Sequence, residues 1–174
     1  FNVTAGNCWT PPMPMTTSFS ITLSHIPEPA AHHIALRVTP AAERRLRAGH
    51  PWLFARSIRK QSHTGRPGGL AVIFDRKGRF LAIGLYDPNA PIRVRVLQAE
   101  KPAQIDGDWY QARLATAAAL RAHLPESGTT GYRLVHGEND GLPGLVIDRY
   151  DRTGVLKLYT VAWVPHLRAL LPAL

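Results

Sequence analysis

The chain has one cysteine, Cys8, in 174 residues, so neither an internal disulfide nor a cysteine-cluster zinc site can form. Its first 34 residues hold no Lys or Arg and one acid, Glu28. A secretory leader needs a basic start and a continuous apolar stretch, and this segment has neither. No apolar run approaches the roughly 18–20 residues that cross a bilayer, so no membrane partner is expected. Acids are scarce as well. Twelve Asp and Glu stand against 21 Lys and Arg, a net charge of +9. Such an excess points to a polyanionic partner.

The excess is local. Residues 35–100 carry 13 basic and 4 acidic side chains, a net of +9, while residues 101–174 carry 8 and 7. Eleven of those 13 are Arg, the side chain suited to bidentate phosphate contact and to stacking on bases. A one-sided segment of this kind favours nucleic acid over a merely solvated surface.

Residues 1–34 read as a disordered tail, rich in Pro, Thr, Ser and His and without sustained periodicity. Met13 and Met15 lie inside it, and translation is expected to begin at Met15. Asn2-Val3-Thr4 fits a glycosylation sequon, which has no meaning without secretion, and His32 and His33 have no ligand-spaced partner. Ile34, Leu36 and Val38 then alternate as a short strand. Thr39-Pro40 is a helix start, a hydroxyl cap followed by Pro at the first position. Arg44, Arg45 and Arg47 ride on that helix, and Gly49 before Pro51 ends it. Leu70–Phe74 and Phe80–Leu85 read as a hairpin across Asp75-Arg76-Lys77-Gly78. From Ile92 the alternation puts Arg93 and Arg95 on one face and Ile92, Val94 and Val96 on the other. Short strands, glycine turns and one small helix predict a compact β-barrel-like module.

A second unit is expected from Lys101. Asp108 caps a predicted helix to about Leu124, with Tyr110, Leu114, Ala117, Leu120 and Leu124 on one face. Strands follow at 132–135, 145–150 and 155–160, and Pro165 begins a helix without a terminal signal. The chain is expected to be truncated there.

Enzyme motifs fail one by one. His136-Gly137-Glu138 has the His-x-Glu of zinc deaminases without the Pro-Cys-x-x-Cys. Glu138 and Asp140, flanked by Gly137, Gly141 and Gly144, are better placed to shape a turn than to act as an acid/base pair. No phosphate loop of the Gly-x-x-x-x-Gly-Lys-[Ser/Thr] type occurs, and Gly65, Gly68 and Gly69 do not fit a dinucleotide fingerprint. Cys8 lies in the tail, a poor place for a nucleophile. No catalytic, cofactor-binding or metal-ligating residue is expected.

Three stretches together carry a family resemblance: Arg-Leu-Arg-Ala-Gly-His-Pro-Trp-Leu-Phe (45–54), Gly-Leu-Tyr-Asp-Pro-Asn-Ala-Pro-Ile-Arg-Val-Arg-Val (84–96) and Tyr-Arg-Leu-Val-His-Gly-Glu-Asn-Asp-Gly-Leu-Pro-Gly-Leu-Val-Ile-Asp-Arg-Tyr (132–150). From residue 35 to 174 the chain resembles the N-terminal half of the class I methyltransferases that modify cytosine C5 in large-subunit ribosomal RNA. The resemblance implies an α+β chain: a small mixed-β PUA pseudobarrel at 35–100 that binds RNA, then a central α+β subdomain at 101–174, cut short. The Rossmann-like catalytic domain, its S-adenosylmethionine and the cysteine that adds to the ring would lie beyond Leu174, so this chain is expected to bind no cofactor and to be inactive alone. Ribosomal RNA is the implied partner and the cytoplasm the implied location. From charge and placement, the expected RNA contacts are Arg37, Arg44, Arg45, Arg47, His50, Arg56, Arg59 and Lys60. Trp52 and Phe54 are candidates for base stacking, with the core as the favoured alternative. Two rivals stand beside this reading. One is a stand-alone PUA-type RNA-binding module without catalytic activity. The other is an interaction domain forming a homodimer through the unit after Lys101.

Overall fold

A computed structural model describes residues 25–174. Residues 1–24 of the expected tail, with Cys8, Met15 and the sequon, lie outside the described residues. Residues 25–33 carry bends and turns but no helix or strand, and Glu28 accepts from Arg168 at 2.8 Å.

Six strands form the first sheet: β1 (Ile34–Val38), β2 (Trp52–Phe54), β3 (Ile58–Gln61), β4 (Leu70–Phe74), β5 (Phe80–Tyr86) and β6 (Ile92–Ala99). Their order is β2-β6-β5-β4-β1-β3, antiparallel except for the β1–β4 pair. The two outermost strands, β2 and β3, are consecutive in the chain and joined only by the 3₁₀ turn Ala55–Ser57. A three-residue link cannot span an open six-stranded sheet, so the sheet curls until its edges approach. The result is a pseudobarrel. Ile34, Leu36, Val38, Leu53, Ile73 and Val94 fill its interior.

Helix α1 (Pro40–Arg47) forms where expected: Thr39 Oγ1 accepts from the Ala42 N–H at 3.3 Å, and Pro40 opens the first turn. Ala42 and Leu46 bury its inner face, and Gly49, at φ +84°, takes the left-handed turn that ends it. Trp52 and Phe54 are half-buried, a correction to the expectation of core. Leu53 between them points into the barrel, and a strand sends its next side chains to the opposite face.

The second unit has helix α2 (Gly107–Ala119), a short α3 (His123–Glu126), and the antiparallel sheet β7 (Gly131–His136), β8 (Leu145–Tyr150) and β9 (Thr153–Leu158). Its helix differs from the expected one. Asp106, in extended conformation, is the cap and accepts from the Trp109 N–H at 3.0 Å, so Asp108 falls within the first turn. The helix stops at Ala119, leaving Leu120 exposed. Beyond it the bonds tighten to the i−3 carbonyl, Arg121 N–H to Ala118 at 3.0 Å and Leu124 N–H to Arg121 at 2.9 Å, and Pro125, which has no N–H to give, falls within the short α3. The C-terminal helix is also broken. A 3₁₀ segment Val161–His166, one α-turn α4 (Leu167–Leu170) and a 3₁₀ turn Leu171–Ala173 replace it, interrupted by Pro165 and Pro172.

The two sheets share a core. Leu70, Ile83, Leu85 and Leu97, on the outer face of the barrel, pack with Tyr110, Leu114, Val135, Leu145, Trp163 and Leu170. Polar links reinforce the seam. Buried Thr160 donates to Asp87 Oδ2 at 2.8 Å, and the Trp163 indole donates to the Pro143 carbonyl at 3.0 Å. His166 Nε2 lies 2.8 Å from the Gly68 carbonyl and Nδ1 lies 2.9 Å from the Tyr110 hydroxyl. A carbonyl only accepts, so Nε2 carries the proton and Nδ1 accepts from Tyr110. That neutral ring matches its burial, which pushes His166 below its ordinary value against the Gly68 bond, and Tyr110 is pushed up by the same cause.

Candidate nucleic-acid interface

Burial of Ala42 and Leu46 turns the other side of α1 outward, which exposes Arg44 and Arg45. Neither has a partner among the described residues. Arg37 on β1 is paired in register with Lys60 on β3, so both point to one side of the sheet edge. Both are exposed and without a side-chain partner among the described residues, and they border a shallow recess of about 240 Å³ with Phe74 at its wall. Arg56 stands exposed on the 3₁₀ turn and Arg59 on β3, where it faces away from its neighbour Lys60.

Two of the eight expected contacts have internal work. Arg47 bridges Glu43 at 3.3 Å and Asp75 at 3.0 Å, while Arg76 and Arg79 close the same network. Asp75 anchors it. The Arg79 backbone N–H first, then the Arg79 guanidinium and the Lys77 N–H, outweigh the opposing effect of burial and lower its pKa to about 2. His50 accepts the Trp52 backbone N–H at Nδ1, 3.2 Å away, and its ring meets Trp52 edge-on at 5.9 Å. The structure thus gathers Arg37 with Lys60 and Arg44 with Arg45, and ties Arg47 into an ion-pair cluster.

A cleft on the seam brings together residues that no sequence pattern joins. Arg95, expected on the same strand face as Arg93, is paired in register with Leu85 and Trp52 on the face that the second unit covers. Only 8% of it remains exposed. The segment Gly137–Asp140 closes over it, with the Trp52 indole donating to Glu138 Oε1 at 2.9 Å. Gly144, at φ +78°, gives Arg95 its room, since a Cβ there would stand 2.9 Å from Nε. The cleft between these parts measures about 340 Å³, and Arg133, His136 and Tyr159 complete its wall. The acids of the loop hold structure. Asp140 is clamped by Arg121 at 2.9 and 3.2 Å and receives the His136 N–H at 2.6 Å. No local pattern marks Arg95, because its cover comes from residues more than 40 positions away.

Among the described residues no three His, Cys, Asp or Glu side chains gather as a metal site, and no helix is long and apolar enough to cross a membrane. Nor do they fit S-adenosylmethionine. The one parallel pair, β1–β4, leads into α1 through Thr39-Pro40 rather than a glycine-rich turn, and the other ladders are antiparallel.

Residues 36–99 match the family model of a PUA-like domain. The chain is 52% identical over 150 residues to the "Ribosomal RNA large subunit methyltransferase" of Deinococcus radiodurans, covering 83% of this chain and 37% of that protein. It is 41% identical over 134 residues to the "Ribosomal RNA large subunit methyltransferase I" of Photobacterium profundum, covering 76% and 34%. The chain therefore spans about a third of the length of these curated relatives. In fold it is similar to a Streptococcus mutans protein described as a candidate SAM-dependent methyltransferase, with a TM-score of 0.69 at 19% identity over 80% of this chain and 36% of that one. A structure of a candidate methyltransferase complexed with SAH is similar to the same degree, with a TM-score of 0.69 at 20% identity and the same coverage.

Proposed function

We propose that this chain is the RNA-recognition portion of an S-adenosylmethionine-dependent methyltransferase of large-subunit ribosomal RNA, acting on cytosine C5 in the cytoplasm. In this reading residues 35–100 are the RNA-binding domain and residues 101–174 the opening part of the central α+β subdomain, with catalysis performed elsewhere. The observation that carries it is the set of exposed cations Arg37, Arg44, Arg45, Arg56, Arg59 and Lys60. None has an ion-pair partner among the described residues, and all belong to the unit that matches the PUA-like family. The likeness to proteins named for ribosomal RNA methylation supports RNA as the polyanion.

Cations of this kind grip phosphates and fix orientation without reading sequence. The test is the affinity of the chain for a ribosomal RNA stem-loop across a salt series. Affinity should fall log-linearly, with a slope of about −0.9 per phosphate contact on duplex. Salt-independent binding would overturn the reading. Methyl transfer from labelled S-adenosylmethionine should be absent for this chain alone, because the described residues supply neither cofactor loop nor thiol.

A further inference from the structure

The seam satisfies its buried polar groups with one exception. Arg95 Nε is the buried side-chain nitrogen or oxygen without a hydrogen-bond partner among the described residues. Its guanidinium makes no ion pair either, although Asp87 and Glu138 attract it through space. A buried, unbonded cation is costly and needs a compensating partner. Here the missing partner is a pair of hydrogen-bond acceptors rather than negative charge, since Glu138 lines the same cleft and both carboxylates already attract this cation through space. A phosphate placed beside Arg95 would meet Glu138 as well as the guanidinium. A neutral acceptor edge brings no negative charge against Glu138.

The cleft at Arg95 suits a flat group. Trp52 is half-buried on one side, and Tyr159 is 57% exposed with the Lys157 ammonium 4.9 Å above its ring. Aromatic rings are stacking platforms for bases. The volume of about 340 Å³ lies within the range of about 300–1,000 Å³ typical of small-ligand sites. It cannot admit a helical segment of RNA.

We propose that this cleft receives the base of one unpaired RNA nucleotide, guanine in preference to the other three, with the O6/N7 edge of guanine accepting from Arg95. The Arg–guanine bidentate pair is the commonest specific base contact of this side chain, and adenine presents a donor where guanine presents O6. The Glu138 carboxylate adds an acceptor for the amino side of guanine. This inference rests on the RNA-binding reading above and adds a sequence preference to it.

The experiment measures binding of the whole chain to short oligouridylates carrying one central guanosine, 7-deazaguanosine, adenosine or cytidine, with the Arg95 Nε–H and Trp52 indole followed by NMR. A single guanosine should tighten binding about 10- to 100-fold and move both signals. The 7-deaza analogue, lacking N7, should lose most of that gain. Arg95→Lys, which keeps the charge and loses the fork, should bind all four alike. Equal affinity for every oligonucleotide by the unaltered chain, with salt dependence intact, overturns the cleft proposal and leaves the RNA-binding reading standing. Failure to bind any of them overturns the reading itself. Inorganic phosphate moving the Arg95 signal while guanosine does not would make the cleft an anion site and also overturn the proposal. The base series is read on the unaltered chain, so the outcome survives even if Arg95→Lys fails to fold.

Discussion

The outer edge of the barrel and the seam between the sheets treat charge in opposite ways. On the edge, Arg37, Arg44, Arg45 and Lys60 are exposed and have no side-chain partner among the described residues. In the seam, Thr160 meets Asp87, Trp52 meets Glu138, and His166 sits between Gly68 and Tyr110. Apart from Arg95 Nε, the groups buried in the seam are satisfied within the fold, because an unpaired one costs about 1–3 kcal/mol. Exposed groups are under no such demand and stay available. The difference separates residues that hold the molecule together from residues that can act on a partner. Net charge alone could not make that separation, since Arg47 and Arg44 count equally in it.

The largest expected effect lies in the seam. Trp163 is completely buried in the cluster that joins both sheets. Trp163→Ala should cost about 3–5 kcal/mol in denaturant unfolding, through lost transfer energy and the cavity left behind. If the two units are one cooperative structure, both should melt in that one transition. Separate transitions would break the comparison by showing that the seam is not a shared core.

The complementary change is Arg44→Ala with Arg45→Ala. It should leave stability within about 0.5 kcal/mol, as expected for exposed positions without partners. RNA affinity should fall across unrelated sequences, and the salt slope should shrink by about one per cation removed. A stability loss without an affinity loss would reverse the assignment of the two regions.

Titration gives a third, smaller separation. Unfolded, His166 takes up a proton near pH 6.5, whereas burial holds the folded ring neutral to lower pH. Its contribution to stability is therefore complete above pH 6.5 and drains away as pH falls through the depressed folded value. Asp75 on the barrel edge behaves in the same sense in a lower window. Its contribution is complete above about 3.8 and is lost as pH falls towards about 2. The midpoint of unfolding should decline first through the seam and only later through the edge. Tyr110→Phe should cost about 1–2 kcal/mol near neutral pH, because it leaves His166 Nδ1 without its donor.

Much of the barrel was legible in order of sequence distance. Thr39-Pro40, the Asp75–Gly78 turn and the alternation from Ile92 are local patterns, and each fixed its element. The charge split by itself pointed to the unit that matches the PUA-like family. The α2 cap is Asp106 rather than Asp108: two acids stand two positions apart at one helix start, and Asp106 is the one in extended conformation that accepts from the Trp109 N–H. The cleft was not legible. Its parts are Trp52, Arg95 and Glu138, and the Trp52–Glu138 bond closes over 86 positions of chain. An alternating Arg in a strand looks the same whether water or another sheet lies above it.

The smallest effect is the most direct test of where the boundary between the regions falls. Arg47 lies on α1 among the free cations, but its guanidinium is shared between Glu43 and Asp75. Its side chain is 47% exposed, so the pairing is worth no more than about 1 kcal/mol. Arg47→Ala should therefore lower stability slightly, where Arg44→Ala does not. It should also reduce the salt slope by less than Arg44→Ala, since RNA can recruit Arg47 only by competing with two carboxylates. If Arg47→Ala weakens RNA binding as much as Arg44→Ala, internal pairing at this edge does not withdraw a cation from the interface. Solvent exposure would then define the binding surface, and pairing would not.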